Sequence, residues 1–392
     1  MKYAIVTPTF RPHFKYVKKL LESQKKYVLD KNNLKHVFVV SRNEYEEFKE
    51  IVGSYSTQFE VEILFTEDLF TWALIDESPE EVLQKYGKFS YQTIKKFLAL
   101  LYIDEEYSLI LDSESMWIRR FRIDELFRNY FNNPFVVYSR VDKGLGDGEV
   151  KKSVLKNNKI IFQSLENEWF LESFDWFYDK KILKQFLDKK SIYEIVKEVY
   201  FKSDDVNKKY GCFEIQLYES FIYLNREKFK YKFINATELL KSTLGDEFKN
   251  YVDLYSFVFK GESGILEQVA VLQNTKGKSL AESMKREGIQ IIRCSFSTLE
   301  NRKYQLSVMK ELNPVIMAAS QDHCFGLNDD TATKFYYYFL KYNDLARNGY
   351  HYLRCFIHPF VLFLNWLAYP IKFVSVGIRW VGVFIKNFKV IV

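Results

Sequence analysis

Glycine and proline are scarce in this chain, 15 and 7 among 392 residues. That excludes collagen-like, low-complexity and wholly disordered classes. Neither an internal repeat nor a linker rich in Pro, Gly or Ser divides the sequence. Cysteine is limited to Cys212, Cys294, Cys324 and Cys355, with no C-x-x-C pair. This argues against a disulfide framework and for reduced thiols in a cytoplasmic protein. No charge of one sign dominates: 57 Lys and Arg face 51 acids, a net +6. So small an excess predicts no nucleic-acid partner. A targeting segment is not expected either. MKYAIVTPTF holds one short apolar run without a small-residue cleavage site, and reads as a buried strand.

Aromatic side chains are abundant. The 36 Phe, 28 Tyr and 6 Trp make up 18% of the chain, ample material for a large core. The small positive excess is also unevenly placed. Residues 351–392 carry Arg354, Lys372, Arg379, Lys386 and Lys389 and no acid, which leaves residues 1–350 nearly neutral. The pattern is a neutral body followed by a basic, apolar segment.

The first 115 residues alternate strand and helix signals. Buried strands are predicted at 3–8 (YAIVTP), 36–41 (HVFVVS), 61–68 (VEILFTED) and 107–115 (YSLILDSES), with helices at 14–27, 43–51 and about 79–103. That order indicates βα units and a mostly parallel, Rossmann-type α/β sheet flanked by helices. In such sheets ligands bind beyond the carboxyl ends of the strands, which draws attention to Thr7 and Thr9, Ser41 and Arg42, Glu67 and Asp68, and Asp112 to Ser115. Further strands are expected at 135–140 (FVVYSR) and 159–164 (KIIFQS), a Gly-containing loop at 144–149, and helices at 191–202 and 212–229. Beyond 250, apolar runs stand at 268–272 and 289–297 and a helix is expected at 299–311. The aromatic stretch Trp169–Trp176 suits either core packing or stacking against an acceptor sugar.

Asp112-Ser113-Glu114 stands where the apolar run LIL meets the surface. On a strand, alternation points Asp112 and Glu114 to one side. Converging carboxylates repel unless a cation lies between them, and hard divalent ions such as Mg²⁺ or Mn²⁺ suit oxygen donors. Such an ion can bridge a diphosphate and neutralise a leaving group. Solvated acids at a strand end are the alternative. Gln92 and Lys95 lie three apart on one helix face, so an amide and a cation meet the same base or phosphate. Lys96 is equally available. Glu214 lies on a mostly apolar helix, where a carboxylate is costly unless paired or functional. It is the candidate general base, with Glu219 as its rival.

Taken in order, KYAIVTPTF, SYQTIKKFLAL, LILDSES and CFEIQLYES resemble the nucleotide-sugar-binding half of GT-A glycosyltransferases. The chain is most similar to a largely uncharacterised bacterial family found among surface-polysaccharide genes, over about residues 1–240. The matching positions are Gln92 and Lys95, Asp112 and Glu114 (Glu where Asp is usual), and Glu214 with Tyr218. The resemblance implies a metal-dependent glycosyltransferase using Mn²⁺ or Mg²⁺. Its nucleotide-sugar donor would lie near Thr7, Thr9, Arg11, Gln92 and Lys95, and its metal at Asp112 and Glu114. His323 would be a late metal ligand, Glu214 the catalytic base, and a glycan or lipid-linked glycan the acceptor. The expected organisation is a nucleotide-sugar half at 1–130, an acceptor-binding remainder at 131–350 and an anchor at 351–392. Two alternative readings remain: a polysaccharide phosphotransferase, or a non-catalytic peripheral membrane scaffold.

In residues 355–392, His358, Asn365, Lys372, Arg379 and Lys386 recur every seven positions. On a helix they form one polar stripe that drifts about 20° per heptad, and Pro359 and Pro370 divide the segment. A spanning helix would leave Arg379 near the bilayer centre at a cost of about 2.5–3.5 kcal/mol. An amphipathic helix lying in plane on an anionic leaflet avoids that cost. The segment is therefore read as a peripheral anchor on the inner face of the cell membrane. Truncation after Tyr350 is expected to leave a folded chain that no longer sediments with anionic liposomes. In the full chain, Gln at Lys372, Arg379 and Lys386 should weaken that binding. Co-sedimentation across a salt series measures both, because surface attraction is screened within a Debye length.

Overall fold

A computed structural model describes residues 2–249 except 118, 142–147, 166 and 209, together with 252, 265–266, 275–294 and 316–319. The chain divides into two units, Met1–Leu327 and Asn328–Val392. All described residues belong to the first.

Eleven strands are described: β1 Tyr3–Pro8, β2 Lys35–Val40, β3 Glu60–Phe65, β4 Tyr107–Ile110, β5 Ser115–Trp117, β6 Phe135–Arg140, β7 Glu168–Trp169, β8 Phe177–Asp179, β9 Lys232–Asn235, β10 Ile291–Cys294 and β11 Ile316–Ala319. The main sheet has the order β3-β2-β1-β4-β8. Its first four strands run parallel and β8 closes it antiparallel to β4. Strands β1 and β2 are buried along nearly their whole length, as continuous apolar runs covered on both faces must be. The fold is therefore a mixed α/β architecture with a mixed sheet flanked by helices. Two smaller three-stranded sheets, β10-β11-β5 and β7-β6-β9, complete the described strands.

Several elements are shorter than the apolar runs that predict them. β3 ends at Phe65, and Thr66–Trp72 is already helical. β4 ends at Ile110, and the Ser115 N–H donates to the Asp112 carbonyl at 2.9 Å. Asp112 to Ser115 is thus a turn, and strand alternation does not govern Asp112 and Glu114. The helix predicted at 212–229 spans Glu214–Leu224.

The strand expected at 159–164 is a correction: that segment ends the helix Glu149–Ile161. A short apolar run fits the last turn of a helix as well as a strand. The preceding Asn157 and Asn158 are buried, and their side-chain N–H groups find distant partners. Asn157 Nδ2 donates to the carbonyls of Asn207 (3.0 Å) and Gly211 (2.8 Å), and Asn158 Nδ2 to Ser220 Oγ at 2.9 Å. Trp169 and Trp176 are also buried, so they serve the core and offer no open stacking face. Residues 268–272 and 299–311, most of the 144–149 loop, and the 351–392 anchor lie outside the described residues.

Asp175 fastens β10 to the body. Its carboxylate accepts from the N–H groups of Gln290 at 3.1 Å and Ile291 at 3.5 Å. Burial pushes this carboxyl up from 3.8 to about 8, against those hydrogen bonds, which favour the charged form. The folded state then keeps a proton that the unfolded chain releases. Stability is full below about pH 4 and falls as pH rises toward 8, on the order of 1 kcal/mol per pH unit at most. Asp175→Asn should flatten that fall, as measured by urea midpoints across the window.

Candidate functional site

The candidate site lies where β1 and β4 end and two helices meet them. The helix Pro79–Tyr102 starts cleanly because Ser78 and Glu81 form a capping box. Gly87, at φ 82°, supplies a kink that other residues resist. The later turns of this helix carry Gln92, Thr93, Lys95 and Lys96. The helix Glu214–Leu224 is brought against it by Gly211, whose φ is +44°. A Cβ at Gly211 would lie 1.9 Å from Ser90 Oγ, so only glycine permits this approach. The Thr93 hydroxyl then donates to the Cys212 carbonyl at 2.8 Å and reaches Glu214 Oε2 at 3.3 Å.

The centre of the arrangement is Lys96, which sequence reasoning left behind Lys95. Its Nζ donates to Glu214 Oε1 at 2.5 Å and to Asp112 Oδ1 at 3.3 Å, and lies 5.1 Å from the centre of the Trp176 ring. Lys96 and Glu214 are both about 5% exposed or less. Burial opposes the ammonium, but the Asp112 and Glu214 carboxylates outweigh it and hold Lys96 above the usual lysine range. Glu214 is the first residue of its helix, where the exposed N–H groups also favour an anion.

Glu114 faces a different neighbour. Its Oε2 lies 3.3 Å from Ser113 Oγ and 3.5 Å from His13 Nδ1, and the same His13 nitrogen is 2.9 Å from Ser113 Oγ. The signal for His13 was available as the histidine that ends the TPTFRPH turn after β1. Asp112 and Glu114 are hard oxygen donors, and Asp112 keeps a side chain 29% exposed. Both fit a Mg²⁺ or Mn²⁺ ion. No group of three His, Cys, Asp or Glu converges among the described residues, and His323 lies outside them. A divalent ion at Asp112 would share that carboxylate with Lys96.

The other predicted residues divide. Thr7 is a correction: its side chain belongs to the core. Its Oγ1 is 2.8 Å from His36 Nε2, whose Nδ1 is 3.0 Å from Gln24 Oε1. Burial drives His36 down to about 3, so the imidazole is neutral and the chain Thr7–His36–Gln24 is structural. Arg11 is exposed; its backbone N–H donates to Glu44 Oε1 at 3.0 Å and its Nε pairs with Glu47 at 2.8 Å. Gln92 is half-buried. Thr9 and Lys95 are buried at the strand ends. Burial, reinforced by Lys96 and countered by Glu44 and Glu67, pushes Lys95 down to about 8. Glu219 sits away from the Lys96 cluster. It is buried, and desolvation with Asp175 nearby raises its carboxyl well above the usual range. Tyr218 packs its ring at a tilt against Tyr178, centres 4.6 Å apart, and its hydroxyl accepts from the Asp179 N–H at 2.9 Å; both contacts are structural.

Residues 12–137 match a family described as a family of unknown function (DUF6492), about a third of the chain. No curated protein matches. Among solved structures, the chain is similar to mouse xyloside xylosyltransferase 1 in its apo form, at 14% identity and a TM-score of 0.37, covering 64% of this chain and 94% of that one. It is also similar to S. aureus TarS, at 15% identity and a TM-score of 0.28, with 73% and 43% covered. Core-mannan synthase A from Aspergillus fumigatus, in a Mn/GDP form, gives 8% identity and a TM-score of 0.34, with 56% and 68% covered. All three TM-scores are below 0.5, so no residue role passes from these proteins to this chain.

Lys96→Met would strand two carboxylates, one of them buried, and is expected to cost about 3–5 kcal/mol. Combining it with Glu214→Gln should recover a good part of that loss. A double-mutant cycle by urea denaturation measures the coupling. Additive losses would show that the two side chains do not interact.

Proposed function

We propose that the chain is a GT-A-type glycosyltransferase that moves a sugar from a nucleotide-sugar donor to a glycan or lipid-linked glycan acceptor. One observation carries this reading. Asp112, Lys96 and Glu214 form a single charged cluster beside Glu114, at the C-terminal ends of the parallel strands, where open α/β sheets bind ligands.

In this reading Asp112 and Glu114 hold Mn²⁺ or Mg²⁺, which when bound neutralises the charge of the departing diphosphate. Lys96 adds a fixed positive charge beside Asp112, placed before reaction and shielded from water. The same ammonium pairs with Glu214 at 2.5 Å and fixes its carboxylate in place. An ionised carboxylate is the form that accepts a proton from an acceptor hydroxyl. Glu219 fits that role less well, because it is buried, with its carboxyl raised well above the usual range by desolvation. Transfer at the cytoplasmic face of the membrane rests on the basic apolar segment 355–392. A surface anchor there would keep the enzyme beside lipid-linked glycans, which are confined to the bilayer.

Nucleotide diphosphates with Mn²⁺ are expected to raise the melting temperature of the wild-type chain. Saturation at 100 times the dissociation constant is worth about 2.7 kcal/mol. Asp112→Asn and Glu114→Gln should each remove the Mn²⁺-dependent part of that shift while leaving the chain folded. Unchanged metal dependence in both variants would remove the metal-site assignment.

A further inference from the structure

We propose that His13 is a positioning residue for Glu114: through Ser113, its ring N–H holds the Glu114 carboxylate in the pose that receives a divalent cation. The role presupposes the metal-site reading above and adds to it a residue that does not itself touch the ion.

His13 and Ser113 are 100 residues apart in the chain and meet just beyond the ends of β1 and β4. The His13 Nδ1 atom lies 2.9 Å from Ser113 Oγ, and the Ser113 hydroxyl donates to Glu114 Oε2 at 3.3 Å. A hydroxyl carries a single hydrogen. With that hydrogen directed at Glu114, Ser113 accepts from His13, so the histidine nitrogen facing it is an N–H. The same nitrogen lies 3.5 Å from Glu114 Oε2. The chain therefore runs in one direction, from imidazole to hydroxyl to carboxylate. His13 is 8% exposed, Ser113 2% and the Glu114 side chain 13%, so water competes little for these contacts.

The support under His13 is stiff. Pro12 fixes one dihedral of the short turn Arg11–His13, and the His13 N–H donates to the Phe10 carbonyl at 2.8 Å. The imidazole packs against the Phe10 ring, centres 4.2 Å apart, and edge-on against Tyr16 at 5.4 Å. Glu114 lies in the turn after β4, where strand alternation does not aim its side chain. A glutamate ordered only as a ligand arrives loses rotamer freedom at that moment. One that is already held does not, and binds more tightly for it. Groups that hydrogen-bond a ligating carboxylate serve this purpose in metal sites, and losing one weakens the metal by about 10–100-fold. Asp112 is held in a similar way by Lys96, at 3.3 Å. Each of the two carboxylates is thus oriented by a buried side chain from another element.

The test is Mn²⁺ titration of the full chain, with the free ion counted by electron paramagnetic resonance, for wild type, Glu114→Gln, Ser113→Ala, His13→Phe and His13→Asn. Phenylalanine keeps the ring packing and deletes the N–H. Asparagine gives up the ring but carries an amide N–H at the same bond distance from Cβ. His13→Phe and Ser113→Ala are each expected to weaken Mn²⁺ binding about tenfold or more, and His13→Asn to stay near wild type. A histidine that serves only packing gives the opposite order, with His13→Phe tolerated and His13→Asn impaired, and that result overturns the proposal. Should both histidine variants lose affinity, Ser113→Ala decides, since it leaves the His13 ring in place: a tenfold loss supports the chain and wild-type binding overturns it. Wild-type affinity in both His13→Phe and Ser113→Ala, with Glu114→Gln impaired, overturns the role of His13 and leaves the metal site standing. If the wild-type chain binds no Mn²⁺, or Glu114→Gln binds it as tightly as wild type, the metal-site reading falls first and the role of His13 with it.

Discussion

The ammonium of Lys96 is the contact on which the rest of the site depends. It joins a residue from each of three separate stretches of chain: its own helix Pro79–Tyr102, the turn after β4 through Asp112, and the start of the helix Glu214–Leu224 through Glu214. Removing charges from water is expensive, and a buried ion pair is tolerated only when its geometry and remaining hydrogen bonds are good. Here the second oxygen of Glu214 meets the Thr93 hydroxyl, and Asp112 keeps part of its surface in solvent. The cluster is therefore closed on its inner side and open toward Asp112. That asymmetry leaves one carboxylate for a ligand or a cation while the other stays paired with Lys96.

The same principle runs through the body. Buried polar side chains are numerous, and most are consumed by long-range partners rather than by ligands. Thr7, His36 and Gln24 form one such chain. Gln216 exchanges hydrogen bonds with the backbone of Phe170 and Glu168 at 3.0 and 2.9 Å. Glu172 accepts from Ser139 and from the Ile265 N–H, both at 2.6 Å, with Lys151 at 4.0 Å. Satisfied networks of this kind help to specify a unique packing.

Much of the main sheet was legible in the sequence. Runs such as HVFVVS and YAIVTP are short, β-branched and apolar, and they alternate with segments of helical period, which is the pattern of parallel strands buried on both faces. The segment at 159–164 reads locally as a strand because a short apolar run fits the last turn of a helix equally well. The side-chain N–H groups of Asn157 and Asn158 in that helix donate to Asn207, Gly211 and Ser220, 50 to 62 residues away. Asp112 and Glu114 are singled out by their position after an apolar run, but strand alternation misplaces their side chains, since nothing local reveals that β4 stops at Ile110.

The sequence by itself therefore determined the strands β1 to β4, the helices between them, the edge where their chemistry would gather, and the basic character of residues 351–392. Those properties follow from period, polarity and charge, which are local. Only the tertiary structure decided that Lys96 rather than Lys95 holds Asp112 and Glu214, that Glu219 is sealed away, and that Thr7 turns into the core. Neighbouring residues on a helix or strand are alike in composition, and they differ in what the fold brings within hydrogen-bond distance. Contacts between residues more than a hundred positions apart, such as Lys96 with Glu214, leave no local trace in the chain that makes them.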